Sequence, residues 1–244
     1  MNQPDSTPLP SRPSCVAVVG AGVIGAAWAA RWVMRGVDVC VSDPSPDASR
    51  VVAEVLESAR RAWDRLDLAP RSEGALRFES LEDSVSCAPL IQESAPEDVD
   101  LKRAVYAAIE RSAAPDAVIA SSTSGIRPSD LQAEMSHPER LVVGHPFNPV
   151  YLLPLVEVVG GDHTDDAVIE RAMDWYRSAG MQPLQVRVEI DAFIAATLGA
   201  VAQRRYSIII NDPAHGAGRC NIVSYTSSIV IYVINCASTA KQIR

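Results

Sequence analysis

The stretch that decides the fold is CVAVVGAGVIG, residues 15–25. Its first five residues form a short apolar run typical of a buried β-strand, and glycine follows directly. An alanine-rich segment continues to Met34, and a second apolar run, VDVCVS, occupies residues 37–42. This alternation of strand, helix and strand is the pattern of a βαβ unit, so it predicts a parallel sheet.

The sequence GAGVIG, at residues 20–25, has the spacing of a dinucleotide-binding turn. In such a turn Gly20 permits the tight bend, Gly22 lets the backbone approach a pyrophosphate, and Gly25 lets the helix pack close to the strand. Asp43 follows the second strand, where a carboxylate accepts hydrogen bonds from an adenosine ribose and repels a 2′-phosphate. The alternative is that the glycines serve only the turn and its packing. The register of strand, helix and acid favours NAD binding, with NAD preferred over NADP.

Further strand and helix patterns extend the unit. Strand candidates lie at 90–92, 117–120, 141–143, 155–159 and 183–189, and helical patterns lie at 48–66, 101–113 and 165–179. They predict a Rossmann-type, doubly wound α/β domain with a mainly parallel sheet over residues 14–190. Residues 1–13 are polar and proline-rich, and we interpret them as a disordered arm. Residues 191–244 are expected to form a truncated or divergent, helical second domain that begins with a helix at 191–205.

Composition excludes several classes of protein. The chain has 244 residues, 48% of them hydrophobic, and a net charge of -8, which disfavours a general nucleic-acid binder because such proteins need a basic surface. Its five cysteines are scattered and form no CxxC pair, so neither a disulfide framework nor a metal site is indicated. The N-terminus lacks the layout of a signal peptide, and no apolar run is long enough for a membrane span. We therefore expect a soluble cytoplasmic protein.

Three further stretches carry a functional pattern: IQESAPEDVDLK at 91–102, ASSTSGI at 120–126 and HPFNPVYLLPLVEVV at 145–159. Together with the glycine turn, they resemble the 3-hydroxyacyl-CoA dehydrogenase family over residues 14–200, in the family's order. Within the family, APEDVDLK and the third stretch are most similar to the branch that oxidises L-carnitine. The resemblance implies an NAD-dependent oxidoreductase that forms a homodimer.

The resemblance also implies roles for single residues. His145 would be the general base, Glu157 its orienting partner, and Ser124 a ligand of the substrate oxygen. An imidazole suits the removal of a hydroxyl proton near neutral pH, and a carboxylate on its other nitrogen fixes the tautomer and stabilises the imidazolium. Glu97, Lys102, Ser124 and Asn148 would line the nicotinamide-ribose side. The expected cofactor-binding residues are Gly20, Ala21, Gly22, Val23, Ile24, Gly25, Asp43, Glu97, Lys102, Ser124 and Asn148.

Simpler interpretations exist for the same residues. His145 can be a hydrogen-bonded structural histidine, and Ser124 can cap the turn that follows it. Glu97 and Lys102 can form a solvated pair at a helix start. A hydrolase built on Ser124 and His145 is disfavoured, because no G-x-S-x-G elbow surrounds the serine.

The expected substrate is L-carnitine, oxidised to 3-dehydrocarnitine. Relatives that act on CoA thioesters tend to carry a lysine after the proline-rich loop, where this chain has YLLP at 151–154. A quaternary ammonium group is commonly met by aromatic faces, for which Phe147 and Tyr151 are candidates, and Arg127 is a candidate for the carboxylate. The alternative substrate is a 3-hydroxyacyl-CoA such as 3-hydroxybutyryl-CoA, since its hydroxyl also lies β to a carbonyl carbon.

The pattern departs from the family at the start of the second domain. The family segment PGFIxNRL reads DAFIAATL here, at residues 191–198, and Ala196 replaces the polar residue that completes the family's substrate site. The segment IVSYTSSIVIYVI, at 222–234, has no clean helical period. A hypothesis of a different class is therefore a non-catalytic NAD-binding or interaction protein.

Overall fold

The computed structural model describes residues 12–68, 72–187 and 189, together with three short strands nearer the C-terminus. The chain divides into two compact units, Met1–Asp191 and Ala192–Arg244. The elements of the first unit are β1 (Cys15–Val19), α1 (Val23–Met34), β2 (Asp38–Ser42), α2 (Ala48–Arg65), β3 (Leu76–Phe78), α3 (Leu81–Ser86), β4 (Leu90–Glu93), α4 (Val99–Glu110), β5 (Val118–Ser121), α5 (Pro128–Gln132), β6 (Leu141–Pro146), β7 (Leu155–Gly160), α6 (Asp166–Ser178) and β8 (Gln182–Val186).

The strands of the first unit form one sheet in the order β3-β2-β1-β4-β5-β6-β7-β8. Neighbouring strands are parallel except β6 and β7, which are antiparallel. The chain winds outward from β1 to one edge and then returns to β4 on the other side of β1. Doubly wound sheets bind ligands at this switch point, outside the carboxyl ends of the strands. The predicted Rossmann-type fold is confirmed.

The predicted elements of this domain lie close to their expected positions, with three omissions. β3, α3 and α5 are too short for the periodicity of their apolar residues to identify them. The last strand, expected at 183–189, ends at Val186. Among the described residues, the helices all lack the length and apolar character that crossing a membrane requires.

In the second unit the described residues form β9 (Ser207–Asn211), β10 (Arg219–Ser224) and β11 (Tyr232–Ala237). They pair antiparallel with β10 in the middle. The helix expected at 191–205 and most of the arm expected at 1–13 lie outside the described residues. The helical character of the second domain therefore stays a prediction.

Three of the largest buried side chains belong to helices α1 and α6, which pack on the sheet. Alanine-rich α1 is buried from Gly25 to Met34, because its small side chains let the helix approach the strands closely. The rings of Trp28, Trp32 and Tyr176 stack there, with centroids 5.2 to 6.5 Å apart. Such offset aromatic pairs add to the free energy of burial. This cluster fixes α1, and with it the glycine turn, against the sheet.

Tyr176 lies under β6, beside the strand residue Gly144. A β-carbon added at Gly144 would overlap the Tyr176 hydroxyl, which donates a hydrogen bond to Gln92 Oε1 at 2.8 Å. Both the tyrosine and the glutamine are fully buried. The glycine before His145 therefore makes room for a tyrosine of α6.

Replacing Gly144 by alanine is expected to lower the free energy of unfolding by about 1–3 kcal/mol, because the added methyl group overlaps a buried hydroxyl. All four tryptophans belong to the first unit, so tryptophan fluorescence during urea denaturation reports on that unit. Gly125→Ala is the matched control, since its added carbon meets Glu97 Oε1 only at 3.6 Å. In Gly144→Ala/Tyr176→Phe the loss should be smaller than the sum of the single losses; additive losses would contradict the overlap.

Candidate active site

The glycine turn joins β1 to α1 at the carboxyl edge of the sheet. Gly20 has a φ of 93°, a conformation that residues with side chains rarely adopt, and its amide donates to the Ser42 carbonyl at 2.9 Å. A β-carbon at Gly25 would overlap the Gly20 carbonyl, so the helix and the strand touch there. A β-carbon at Gly22 would meet no heavy atom within 4 Å. The protein's own packing therefore does not require a glycine at position 22. The absence of a side chain there leaves the backbone open to a pyrophosphate.

The start of α1 faces the same opening. Its first residue is preceded by Gly22, which offers no capping side chain, and the first turn contains no acidic residue. The amides of this turn therefore keep their hydrogen-bonding capacity, and no acidic side chain of the turn itself offsets the positive end of the helix dipole. Both features suit a bound phosphate.

A groove of about 750 Å³ runs past the turn. Its walls come from the glycine turn and the segments that follow β2, β3 and β4, together with one side of α4. The lining residues are Val19, Gly20, Gly22, Val23, Ile24, Ser42, Asp43, Pro44, Glu79, Ser80, Leu81, Ser94, Ala95, Pro96, Leu101 and Val105. Val23 and Leu101 are exposed apolar side chains that a flat aromatic ligand would cover. Size and lining fit the adenosine diphosphate part of a dinucleotide.

Asp43 holds the glycine turn as well as facing the groove. Its Oδ2 accepts a hydrogen bond from the Ala21 amide at 2.6 Å, and its Oδ1 accepts one from the Ser45 amide at 2.7 Å. Each carboxylate oxygen accepts two hydrogen bonds, so both oxygens can still accept one from a ribose hydroxyl. The position predicted from the sequence is compatible with ribose binding, and the contact with Ala21 is a further role that the sequence did not reveal.

Glu97 organises the loop that carries Ser124. Its Oε1 accepts hydrogen bonds from the amides of Ser124 and Gly125, at 2.9 and 2.8 Å, and from the Thr123 hydroxyl at 2.6 Å. The Ser124 hydroxyl lies 3.5 Å from the same oxygen. The hydroxyl that accepts from the next turn, from the Ile126 amide at 3.0 Å, belongs to Thr123. The capping role considered for Ser124 thus falls to its neighbour.

Lys102 is buried rather than solvated. Its Nζ donates to Glu93 Oε1 at 2.7 Å and to the Ala95 carbonyl at 3.0 Å, and it lies 4.0 Å from Glu97 Oε2. The interpretation of Glu97 and Lys102 as a solvated surface pair is therefore wrong. Lys102 fixes the backbone between the end of β4 and the start of α4, next to the expected nicotinamide side.

Glu93 is the partner that sequence reasoning missed. It ends β4, is fully buried, and also accepts hydrogen bonds from the Tyr106 hydroxyl at 2.6 Å, the Ser121 hydroxyl at 2.7 Å and the Ala95 amide at 2.6 Å. Burial, followed by repulsion from Glu93, raises the pKa of Tyr106 well above its usual value, so the phenol remains a donor. The signal in the sequence was a glutamate at the end of the buried strand LIQE. The hydrogen-bond partners of this glutamate lie up to 28 residues away in the chain.

His145 and Glu157 face each other across β6 and β7. They occupy directly opposite positions of the antiparallel pair, and His145 Nδ1 lies 2.9 Å from Glu157 Oε2. Their side chains are 5% and 3% exposed. The strand expected at 141–143 continues through Pro146, so His145 lies within β6. Pairing of the strands, which fixes opposite side chains on one face, positions the histidine.

The parallel register brings these groups to one edge of the sheet. Ser121 pairs with Val143, so His145 lies beside the loop that carries Ser124. Asn148 is exposed in the turn after β6. The expected cofactor and catalytic residues thus meet along the carboxyl ends of β1, β2, β4, β5 and β6, whereas Ala196 lies outside the described residues.

The three residues considered for carnitine itself have different surroundings. The ring of Phe147 lies 5.7 Å from that of His145, centroid to centroid. Tyr151 packs against the hydrophobic core. Arg127 forms an ion pair with Asp130 at 2.9 Å. Of the two aromatic candidates, Phe147 is the one whose ring lies beside His145.

Comparison with known proteins supports the interpretation of this edge as an NAD-binding site. Residues 15–190 match the family described as 3-hydroxyacyl-CoA dehydrogenase, NAD binding domain. The chain is 50% identical over 200 residues to an L-carnitine dehydrogenase of Mesorhizobium japonicum, covering 80% of this chain and 55% of the relative. It is 48% identical over 213 residues to an L-carnitine dehydrogenase/betainyl-CoA thioesterase of a Rhizobium species, covering 86% of this chain and 43% of the relative. The chain spans about half the length of these curated relatives.

Solved structures agree in fold. A 5-formyl-3-hydroxy-2-methylpyridine 4-carboxylic acid 5-dehydrogenase superposes with a TM-score of 0.71 at 33% identity, covering 77% of this chain and 62% of that chain. An (S)-3-hydroxybutyryl-CoA dehydrogenase from Ralstonia eutropha superposes with a TM-score of 0.68 at 26% identity, covering 76% and 68%. With a glycine turn shaped for a dinucleotide and a match that spans residues 15–190, the chain belongs to the 3-hydroxyacyl-CoA dehydrogenase family and contains its NAD-binding domain.

Proposed function

We propose that this protein oxidises the 3-hydroxyl group of L-carnitine to a ketone with NAD as the hydride acceptor. The observation that carries the proposal is the buried pair of His145 and Glu157, held at the sheet edge that also bears the glycine turn. The relatives named as L-carnitine dehydrogenases support the choice of substrate.

The proton of the hydroxyl group goes to His145. Glu157 binds Nδ1 at 2.9 Å, which favours the tautomer with its hydrogen on Nδ1 and leaves Nε2 as the atom that takes the substrate proton. As the proton arrives, the ring becomes positive beside a buried carboxylate, whose charge stabilises it. A glutamate in an apolar strand is explained by this charge partner, since an unpaired buried carboxylate is costly.

The remaining residues hold the reactants. When bound, NAD supplies the carbon that accepts the hydride. Gly22 and the first turn of α1 would hold its diphosphate, and Asp43 its adenosine ribose. Ser124 would donate to the substrate oxygen from a loop that Glu97 keeps in place.

Two alternatives remain candidates. A 3-hydroxyacyl-CoA is favoured by the likeness to a 3-hydroxybutyryl-CoA dehydrogenase structure, and the same His–Glu pair would serve it. A non-catalytic NAD-binding protein is favoured by Ala196, where the family carries a polar residue. One assay separates the three.

Purified protein with NAD and L-carnitine is expected to produce NADH, followed by its absorbance at 340 nm, with little or no production from D-carnitine or 3-hydroxybutyryl-CoA. The reason is that His145 can reach the hydroxyl of one enantiomer only when the carboxylate and ammonium groups are both bound. Turnover of 3-hydroxybutyryl-CoA in preference to L-carnitine would assign the CoA substrate instead. NADH binding without any turnover would assign the non-catalytic role.

His145→Gln is expected to lower kcat by about 10²–10⁴-fold, the usual contribution of a general base. Glu157→Gln keeps a hydrogen-bond partner but removes the charge, so a smaller loss of kcat is expected. NADH affinity, measured by calorimetry, should stay unchanged in both. The exposed His137, paired with Glu139, gives the control His137→Gln, which should behave like the original protein. Full activity in His145→Gln would disprove its role.

Asp43→Asn is expected to shift the ratio of NADPH to NADH affinity about tenfold towards NADPH, a change of about 1.4 kcal/mol. The change removes the charge that repels a 2′-phosphate, while the amide oxygen can still accept from Ala21. Competition binding with both reduced cofactors measures the ratio. Asp47→Asn, at an exposed aspartate paired with Arg50, is the control and should leave the ratio unchanged. An unchanged ratio in Asp43→Asn would remove Asp43 from the ribose site.

A further inference from the structure

A series of buried hydrogen bonds crosses the sheet beneath α1 and α6 and ends at the cofactor groove. The Tyr176 hydroxyl donates to Gln92 Oε1 at 2.8 Å, and Gln92 Nε2 donates to the Ala120 carbonyl at 3.1 Å and to Ser122 Oγ at 2.9 Å. Ser122 Oγ in turn lies 2.9 Å from Ser94 Oγ. Ser94 lines the groove beside the glycine turn.

The groups at the two ends of the Gln92 amide determine which atom donates and which accepts in each hydrogen bond. The Ala120 carbonyl can only accept, so the amide nitrogen of Gln92 faces it and the amide oxygen faces Tyr176. Burial raises the pKa of Tyr176, so its hydroxyl keeps the proton that it donates. The orientation of the Gln92 amide is therefore determined by chemistry at both ends.

The same reasoning fixes the Ser122 hydroxyl. It accepts from Gln92 Nε2 and also from the indole Nε1 of Trp28 at 3.2 Å, and an indole can only donate. A serine oxygen has two lone pairs, both of which are now used. The one proton of Ser122 must therefore go to Ser94 Oγ, which acts as the acceptor.

Ser94 then keeps its own hydroxyl proton. Within the part of the chain that the structure describes, Ser122 is the one hydrogen-bond partner of this hydroxyl. The Ser94 backbone abuts the glycine turn: its amide donates to the Val19 carbonyl at 2.7 Å, and a β-carbon on Gly20 would lie 2.8 Å from its carbonyl group. The hydroxyl is thus presented beside the position that a diphosphate would occupy.

The composition of the groove gives a second, independent reason to expect a donor here. Of the residues that line it, all within the described ranges, none is a lysine, arginine or histidine. The charge of a diphosphate must then be met by amides and hydroxyl groups. Ser80, another hydroxyl in the lining, is already engaged with the side chain and amide of Asp83.

We propose that Ser94 is a cofactor-binding residue whose hydroxyl donates a hydrogen bond to a diphosphate oxygen of the bound dinucleotide. Ser122, Trp28, Gln92 and Tyr176 are positioning residues, because they orient the Ser94 proton without touching the cofactor. Hydrogen bonds to anionic oxygens are stronger than those between neutral groups, so this contact contributes measurably to affinity.

The test is calorimetric binding of NADH, ADP-ribose and, by competition, adenosine to the full chain without any substrate. Ser94→Ala is expected to weaken NADH and ADP-ribose about tenfold each, because both carry the diphosphate, and to leave adenosine unchanged. Ser86→Ala removes a hydroxyl that donates to the Asp83 carbonyl, away from the groove lining, and as the control it should change none of the three. Unchanged NADH affinity in folded Ser94→Ala, or an equal loss for adenosine, overturns the proposal.

A second variant tests the orienting network. Trp28→Phe returns one lone pair to Ser122, which lets the Ser94 hydroxyl turn inward, and about threefold weaker NADH binding is expected. In the Ser94→Ala background the Trp28 change should have no further effect. Additive losses would show that Trp28 acts through packing and would overturn the network. Because no substrate takes part, these results are independent of the proposed oxidation of L-carnitine.

Discussion

The carboxylate of Glu93 is fully buried, and a charge without access to water is tolerated only when donors surround it. Lys102, Tyr106, Ser121 and the Ala95 amide supply those donors from α4, β5 and the segment after β4. Hydrogen bonding to the one carboxylate of Glu93 thus holds three separate elements together. The edge of the sheet where cofactor and substrate residues meet is arranged around that point.

Other carboxylates along this edge hold neighbouring groups in the same way. Asp43 holds the Ala21 amide of the glycine turn, Glu97 holds the amides of the Ser124 loop, and Glu157 holds the imidazole of His145. Carboxylates accept several hydrogen bonds at once, which suits them to fix loops whose amides lack partners in the sheet. An anionic cofactor then depends on the helix N-terminus and on neutral donors, since the groove lining is itself acidic.

Much of the fold follows from local sequence. The apolar runs at 15–19 and 141–143 and the spacing of Gly20, Gly22 and Gly25 are signals within a few residues, and the structure confirms the elements that they predict. The parts that sequence reasoning missed depend on partners far apart in the chain. Glu93 and the hydrogen bonds from Tyr176 to Ser94 have meaning only after the sheet has brought their strands together. The strand position of His145 was missed for the same reason, because pairing with β7 extends β6 beyond its apolar residues.

The one antiparallel strand pair of the eight-stranded sheet, β6 and β7, affects how the site folds and how it can pass between genes. β6 and β7 are adjacent in sequence as well as in space, so His145 and Glu157 lie within one continuous stretch, residues 141–160. The cofactor edge instead combines residues from 20 to 125, whose contacts close long loops of chain and form more slowly. The acid–base pair can therefore form as a local hairpin, and gene fragments that exchange this stretch carry the pair together.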